Sequence, residues 1–299
     1  MIKIKNLFVY MKDTPLLKDV NFALNESESL GIIGKSGCGK STLAKAIVNI
    51  FDNDRFYKEG EISIYNHAFE NNMRGNMISL MFQNPNTYLN PTMKIGKQIS
   101  EMLIYHKQYN KQLAKEKTLS FMNKIGLDSK YYNYYPFELS GGLQQKVCLC
   151  ISLICEPKIL ILDESTSYLD HENKELILHL IKTLQKEYKF TLIMISHDFK
   201  EIYNYCDKIA VMKDGEIIEF GKKNEIILNP YHPHTIELLA LYLSYFKDID
   251  YPILNSNLNE ESSLINIISD SHYFKGVANK QIKSNYSKIK EAVYENLNN

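Results

Sequence analysis

Gly34-Lys35-Ser36-Gly37-Cys38-Gly39-Lys40-Ser41-Thr42 has the spacing G-x-x-x-x-G-K-[ST], and residues of those types in that pattern build a cradle for phosphate. The glycines let successive backbone N–H groups turn around one anion. Lys40 brings a positive charge to the β- and γ-phosphates, and Ser41 offers a hydroxyl to Mg²⁺. Such a loop alone suits kinases, GTPases and motor ATPases equally, so the class must come from other positions. Ile159-Leu160-Ile161-Leu162-Asp163-Glu164 is an apolar run ending in two carboxylates. That places Asp163 to hold Mg²⁺ through water and Glu164 to polarise an attacking water. Ser140-Gly141-Gly142 opens a helical pattern with free N–H groups, a hydroxyl and a helix dipole, as a second anion site or a plain N-cap. Ser196-His197-Asp198 presents an imidazole just past another apolar run.

These groups need strands and helices to hold them. Leu30 to Ile33 reads as a strand into the phosphate loop, and Leu43, Ala44, Ile47 and Val48 have helical spacing after it. Residues 2–10 and 18–24 read as strands, with Ile2, Ile4, Phe8 and Tyr10 alternating in the first. Residues 60–65 alternate likewise, and the apolar run 77–82 ends at Gln83 before Pro85. From Asn84 to about Pro157 the period turns helical, which marks a separate lobe. Runs 158–162 and 191–195, with a helix over 172–188 between them, predict parallel strands in an α/β core. Lys213-Asp214-Gly215 between runs 208–212 and 216–220 signals a hairpin. A helix is expected from Thr235 to about Tyr245. Short helices at 264–268 and 289–297 would then lie in a tail rich in Asn, Ser and Lys, loosely ordered or accessory.

Composition narrows the class. The 299 residues are 44% hydrophobic, and 35 Lys+Arg balance 35 Asp+Glu, which argues against nucleic acid as the main partner. No apolar stretch approaches the roughly 20 residues that span a bilayer, and the first residues lack a signal peptide's apolar segment, so neither an integral nor a secreted chain is expected. Five cysteines, Cys38, Cys148, Cys150, Cys155 and Cys206, with no Cys-x-x-Cys pair, fit reduced thiols.

In chain order, the phosphate loop, Gln83, Leu139-Ser140-Gly141-Gly142-Leu143-Gln144-Gln145, Asp163-Glu164, Ser167-Tyr168-Leu169-Asp170 and His197 resemble the motifs of the ATP-binding-cassette (ABC) transporter ATPases, over about residues 2–228. The resemblance implies an α/β P-loop ATPase core with an antiparallel β subdomain (1–83 and 158–228), a helical subdomain carrying the signature (84–157) and a C-terminal extension (229–299). It implies ATP and Mg²⁺ as cofactors. ATP would contact Gly34, Lys35, Ser36, Gly37, Cys38, Gly39, Lys40, Ser41, Thr42, Gln83 and Asp163, with Ser140, Gly141 and Gly142 closing over the γ-phosphate held by another subunit. Ser41, Gln83 and Asp163 would serve the metal. Glu164 and His197 would assist attack by water, and Ser167 to Asp170 would touch the opposite subunit. Tyr10, thirty residues before Lys40, is the expected adenine-stacking residue, with Phe8 as its competitor. Leu143, Ser165 and Tyr168 depart from the common pattern without removing a catalytic group.

Three further stretches resemble the dipeptide, oligopeptide and nickel importers: Met81-Phe82-Gln83-Asn84-Pro85 with Leu89-Asn90-Pro91, Tyr135-Pro136-Phe137-Glu138, and His232-Pro233-His234-Thr235. No cysteine follows Cys206, which argues against the cysteine cluster many of those proteins carry. The implied setting is the cytoplasmic face of the cell membrane. The partners would be a second ABC ATPase subunit, permease subunits docked on residues 84–103, and indirectly an extracytoplasmic solute-binding protein. An exporter ATPase for a peptide antibiotic or toxin is the alternative, and a soluble non-transport ABC ATPase a more distant one.

Overall fold

The computed structural model describes residues 2–51, 54–82, 84–236 and 238–239. Gln83 and the helices expected beyond residue 239 lie outside the described residues. The chain divides into two compact units, Met1–Phe220 and Gly221–Asn299.

In the first unit, β1 (Ile2–Met11), β2 (Thr14–Leu24), β4 (Phe56–Ile64) and β5 (His67–Ala68) form an antiparallel sheet in the order β2-β1-β4-β5. A second sheet has the order β10-β9-β3-β8-β7-β6, from β3 (Ser29–Ile33), β6 (Ile78–Met81), β7 (Ile159–Asp163), β8 (Thr191–Ile195), β9 (Lys208–Lys213) and β10 (Glu216–Lys222). In it β3 runs parallel to β8 and β9, and β7 parallel to β6 and β8. All five residues of β3, β7 and β8 are buried, as continuous apolar strands covered on both faces must be. Helix α1 (Lys40–Ile47) buries Leu43, Ala44 and Ile47 in the cluster that also holds Ile4 and Val9 of β1 and Ile161 and Ile193 of the parallel sheet. One core therefore carries both sheets. A short α2 (Pro85–Tyr88) precedes the helical lobe of α3 (Ile95–Lys107), α4 (Lys111–Lys124) and α5 (Gly141–Leu153). Helices α6 (His171–Tyr188) and α7 (Phe199–Tyr205) flank β8 in sequence, and α8 (Lys223–Leu228) belongs to the second unit.

The alternation expected in β1 breaks in the middle. Asn6 adopts φ 47, and the pairing of β1 slips there against both neighbours. Asn21 Oδ1 accepts the Asn6 N–H at 2.8 Å, and opposite the bulge a Cβ on Gly60 would stand 2.2 Å from the Asn6 carbonyl oxygen. The extra residue inverts the parity. Ile2, Ile4, Leu7 and Val9 face the core, while Phe8 and Tyr10 turn to the opposite face.

The Asp-Gly turn forms as expected, with Asp214 at φ 50 and Gly215 at φ 87, the positive pair a two-residue hairpin turn requires. It also buttresses the phosphate loop, because Gly215 N–H donates to Cys38 O at 3.0 Å and Lys18 N–H to Gly215 O at 2.9 Å. All five cysteines are buried free thiols. Burial pushes Cys148 up to about 12 and Cys155 up to about 11.

Gly31 in β3 admits α7 against the sheet, since a Cβ there would lie 2.2 Å from Ile202 Cγ2, and Ile202 is fully buried. Gly31→Ala is expected to destabilise the fold by about 1–3 kcal/mol through overpacking. Urea denaturation should show this as a lower midpoint at unchanged slope.

Candidate active site

The parallel strands deliver their groups at one edge. The phosphate loop follows β3, Asp163 ends β7 with Glu164 after it, and Ser196-His197-Asp198 follows β8. In open parallel sheets this carboxyl edge is where ligands bind.

Close packing shapes the phosphate loop. A Cβ on Gly34 would lie 2.3 Å from the Met212 carbonyl oxygen, and one on Gly39, at φ 107, would press on Leu17 Cδ2 at 3.0 Å. Gly39 caps α1, and its carbonyl accepts from Leu43 N–H at 2.8 Å. Lys40 is 6% exposed, with its ammonium donating to Gly34 O at 2.8 Å and Lys35 O at 3.1 Å. The charge thus sits inside the turn of the loop that surrounds it. Burial raises the Cys38 thiol pKa, opposed by the nearby Lys40 charge.

Ser41 Oγ donates to Asp163 Oδ1 at 2.9 Å across 122 residues of sequence. Asp163 is 5% exposed, and burial raises its pKa against the opposing Ser41 hydrogen bond. A hydroxyl and a carboxylate so close, beside a phosphate cradle, form the hard oxygen set suited to Mg²⁺. Glu164 adopts φ 47, a left-handed conformation that costs a non-glycine residue on the order of 1–3 kcal/mol. Its N–H donates to Ile195 O at 2.9 Å, and its Oε2 stands 3.9 Å from His197 Nδ1. The His197 side chain is 64% exposed, so it meets solvent at the sheet edge while Glu164 is largely covered.

Ser140 caps α5 from an extended conformation and spends no side-chain bond on its own helix. A Cβ on Gly141 would meet nothing within 4 Å, which leaves the helix start open to approach. Ser140, Gly141 and Gly142 belong to the helical lobe. The loop residues, Asp163, Glu164 and His197 gather at the sheet edge instead. Tyr10 packs against Phe8, with ring centroids 6.3 Å apart, and against Tyr57 at 6.2 Å. It is on the face of β1 opposite Val9, whereas Leu17, paired with Val9, lies against Gly39. The strand alternation therefore turns Tyr10 away from the side on which the phosphate loop packs.

Sequence reading did not single out the polar groups beneath the edge. Buried Gln145 of α5 donates to Ser165 O, tying the signature helix to the segment after Glu164. Glu201 of α7, 4% exposed, accepts from Thr166 Oγ1 at 3.0 Å and Ser196 Oγ at 2.6 Å. Lys174 Nζ lies 2.5 Å from Glu201 and 2.8 Å from Asp198. A charged residue in the first turn of the helix after β8, four after His197, was the available signal.

Comparison with known proteins bears on this arrangement. The family described as ABC transporter matches residues 17–167. The oligopeptide transport ATP-binding protein OppD of Bacillus subtilis is 36% identical over 279 residues, covering 89% of this chain and 75% of its own. The dipeptide transport ATP-binding protein DppD of Lactococcus lactis subsp. cremoris is 36% identical over 253 residues, covering 80% and 72%. A solved dimeric structure of a post-hydrolysis state of an ATP-binding cassette bound to ADP and Pi is similar with a TM-score of 0.65 and 29% identity, over 74% of this chain and 98% of that one.

Lys40→Ala removes a buried ammonium from inside the phosphate loop. It is expected to weaken ATP binding about 10- to 100-fold, the loss of charge-assisted bonds to phosphate. Titration with a fluorescent ATP analogue checks this, and unchanged affinity would refute the cradle reading.

Proposed function

The chain belongs to the ABC transporter family, and on that premise we propose that it is the ATP-hydrolysing subunit of a membrane importer of peptides, working as one half of a dimer. The observation that carries the hydrolytic part is the pairing of Ser41 with Asp163 at 2.9 Å beside Glu164 and His197 at 3.9 Å. The oligopeptide and dipeptide transport names of the relatives support peptides over nickel.

The chemistry follows from these groups. The loop from Gly34 to Thr42 wraps the phosphates with backbone N–H groups, and the Lys40 ammonium turns from its loop carbonyls toward the β- and γ-phosphate oxygens. Ser41 and Asp163, joined by Gln83 as the family resemblance implies, would hold Mg²⁺, and the metal would supply positive charge to offset that of the phosphates. The Glu164 carboxylate accepts a hydrogen bond from the attacking water and orients it in line with the γ-phosphorus. His197, exposed at the edge, donates to a γ-phosphate oxygen and holds that group against the water. Ser140, Gly141 and Gly142 direct the N-terminus of α5 at the γ-phosphate bound by the second subunit, so each site needs both chains.

Among the described residues no helix is long and apolar enough to cross a membrane. On this reading, membrane attachment runs through permease subunits, at the cytoplasmic face, as the family resemblance implies. A cavity of about 780 Å³ in the helical lobe, lined by Tyr88, Met93, Met102, Tyr105 and Ile151 among others, suits a permease segment; Tyr105 is 76% exposed.

Glu164→Gln keeps the shape and loses the carboxylate. Its ATP turnover should drop about 10²-fold or more while ATP is retained and the dimer persists on size exclusion; turnover at the wild-type rate would overturn the assignment. For cargo, a deletion strain should lose uptake of labelled di- and oligopeptides and keep uptake of labelled nickel. The reverse outcome would move the protein to a nickel importer.

A further inference from the structure

Two loops carry the hydrolytic pair, and one buried carboxylate joins them. Glu164 leads into Ser165-Thr166, and Thr166, 4% exposed, gives its hydroxyl to Glu201 Oε1. His197 follows Ser196, also 4% exposed, which gives its hydroxyl to Glu201 Oε2. Each oxygen of one side chain thus holds one of the two loops, two residues from Glu164 and one from His197. Ser196 Oγ in turn accepts the Asp198 N–H at 2.9 Å, which completes the turn around His197. Lys174 of α6 balances the charge by reaching both Glu201 and Asp198.

Helix capping does not account for this carboxylate. Asp198 already caps α7, its Oδ1 accepting from Lys200 N–H at 2.9 Å. Burying a carboxylate and an ammonium is costly, and as pure packing an apolar pair of equal volume does as well or better. A two-oxygen bridge does something an apolar pair cannot, because it fixes two chain segments in one register. That matters where the backbone is strained, as at Glu164 with φ 47, since such a conformation persists only when its surroundings hold it.

We propose that Glu201 is a positioning residue for ATP hydrolysis: by bridging Thr166 and Ser196 it sets the separation of Glu164 and His197. The inference rests on reading those two residues as the hydrolytic pair. Glu201 touches no reacting atom, so its removal should spare nucleotide binding by the distant loop residues and slow the chemical step. Misplacement of reacting groups by as little as an ångström costs up to about 10²-fold in rate.

The experiment measures ATP turnover of the full-length chain assembled with its second ATPase subunit and permease, and, separately, affinity for a fluorescent ATP analogue. Glu201→Gln keeps the volume but turns one acceptor into a donor facing a hydroxyl or Lys174. Its kcat is expected to fall about 10-fold or more, with ATP affinity within about threefold of wild type. Thr166→Val should lose turnover in the same pattern, and Thr166→Ser, which restores the hydroxyl, should recover most of what Val loses. This pair decides the matter should Glu201→Gln not fold, with thermal melts confirming that both Thr166 variants do. Wild-type turnover in Glu201→Gln, a parallel fall in affinity and rate, or equal losses in Thr166→Ser and Thr166→Val would each overturn the proposal. Lys40→Ala serves as the inactive reference. A wild-type assembly no faster than that reference fails the hydrolysis reading itself, whereas an active wild-type assembly with an unaffected Glu201→Gln fails only the role of Glu201.

Discussion

Parallel pairing around β3 is the constraint on which the rest depends. A parallel strand cannot turn back on its neighbour by a hairpin, so each one ends at the same edge as the last. With β3 between β8 and β9, and β7 beside β8, the phosphate loop, the acidic pair and the histidine all emerge at that edge without any contact between them having to be arranged separately. The hydrogen bond from Ser41 to Asp163 then needs only the correct register between strands.

Burial makes that edge chemically poised and energetically expensive. Lys40 and Asp163 are both nearly covered, and covering a charge is unfavourable unless partners replace water. Lys40 has loop carbonyls and Asp163 has the Ser41 hydroxyl, partners that are adequate but exchangeable for phosphate and metal. Behind them the Glu201 and Lys174 pair and the Gln145 contact form a second layer, satisfied by groups of the chain itself. Exchangeable partners above fixed ones describe a site that can release product without losing its shape.

Much of this was legible in the residues. Continuous apolar runs before Gly34 and through Asp163, and the Asp-Gly pair at 214–215, translated directly into β3, β7 and the turn after β9, because sterics and turn geometry act locally there. β1 was less legible. Its alternation of Ile2, Ile4, Phe8 and Tyr10 holds only up to Asn6, where a bulge inverts the parity, and nothing in the polar stretch Lys5-Asn6 announced that inversion. Tyr10, expected beside the nucleotide from its distance to Lys40, packs beside Phe8 and Tyr57 on the face opposite Val9. Strand limits were also drawn short, at 18 and 60 where β2 and β4 begin at Thr14 and Phe56, since pairing with β1 carries the strands through Pro15 and Gly60, residue types that read as breaks. The network around Glu201 stayed hidden because one arm of it is long-range: Ser196 is five residues away, but Thr166, 35 residues away, meets it only once β7 and β8 are side by side.

The neighbours of β3 arrive late in the chain. Ser29 at its start is hydrogen-bonded to Asp207, 178 residues away, and the turn at Gly215 is what supports the carbonyl of Cys38. During synthesis the phosphate loop therefore leaves the ribosome long before β8, β9 and the turn at Gly215 exist to brace it. The apolar face of β3 must wait, through the emergence of the helical lobe, for β8 and β9. A nascent chain of this protein acquires its helices early and its nucleotide cradle almost last, so any cellular factor guarding it against premature association has most to do between those two moments.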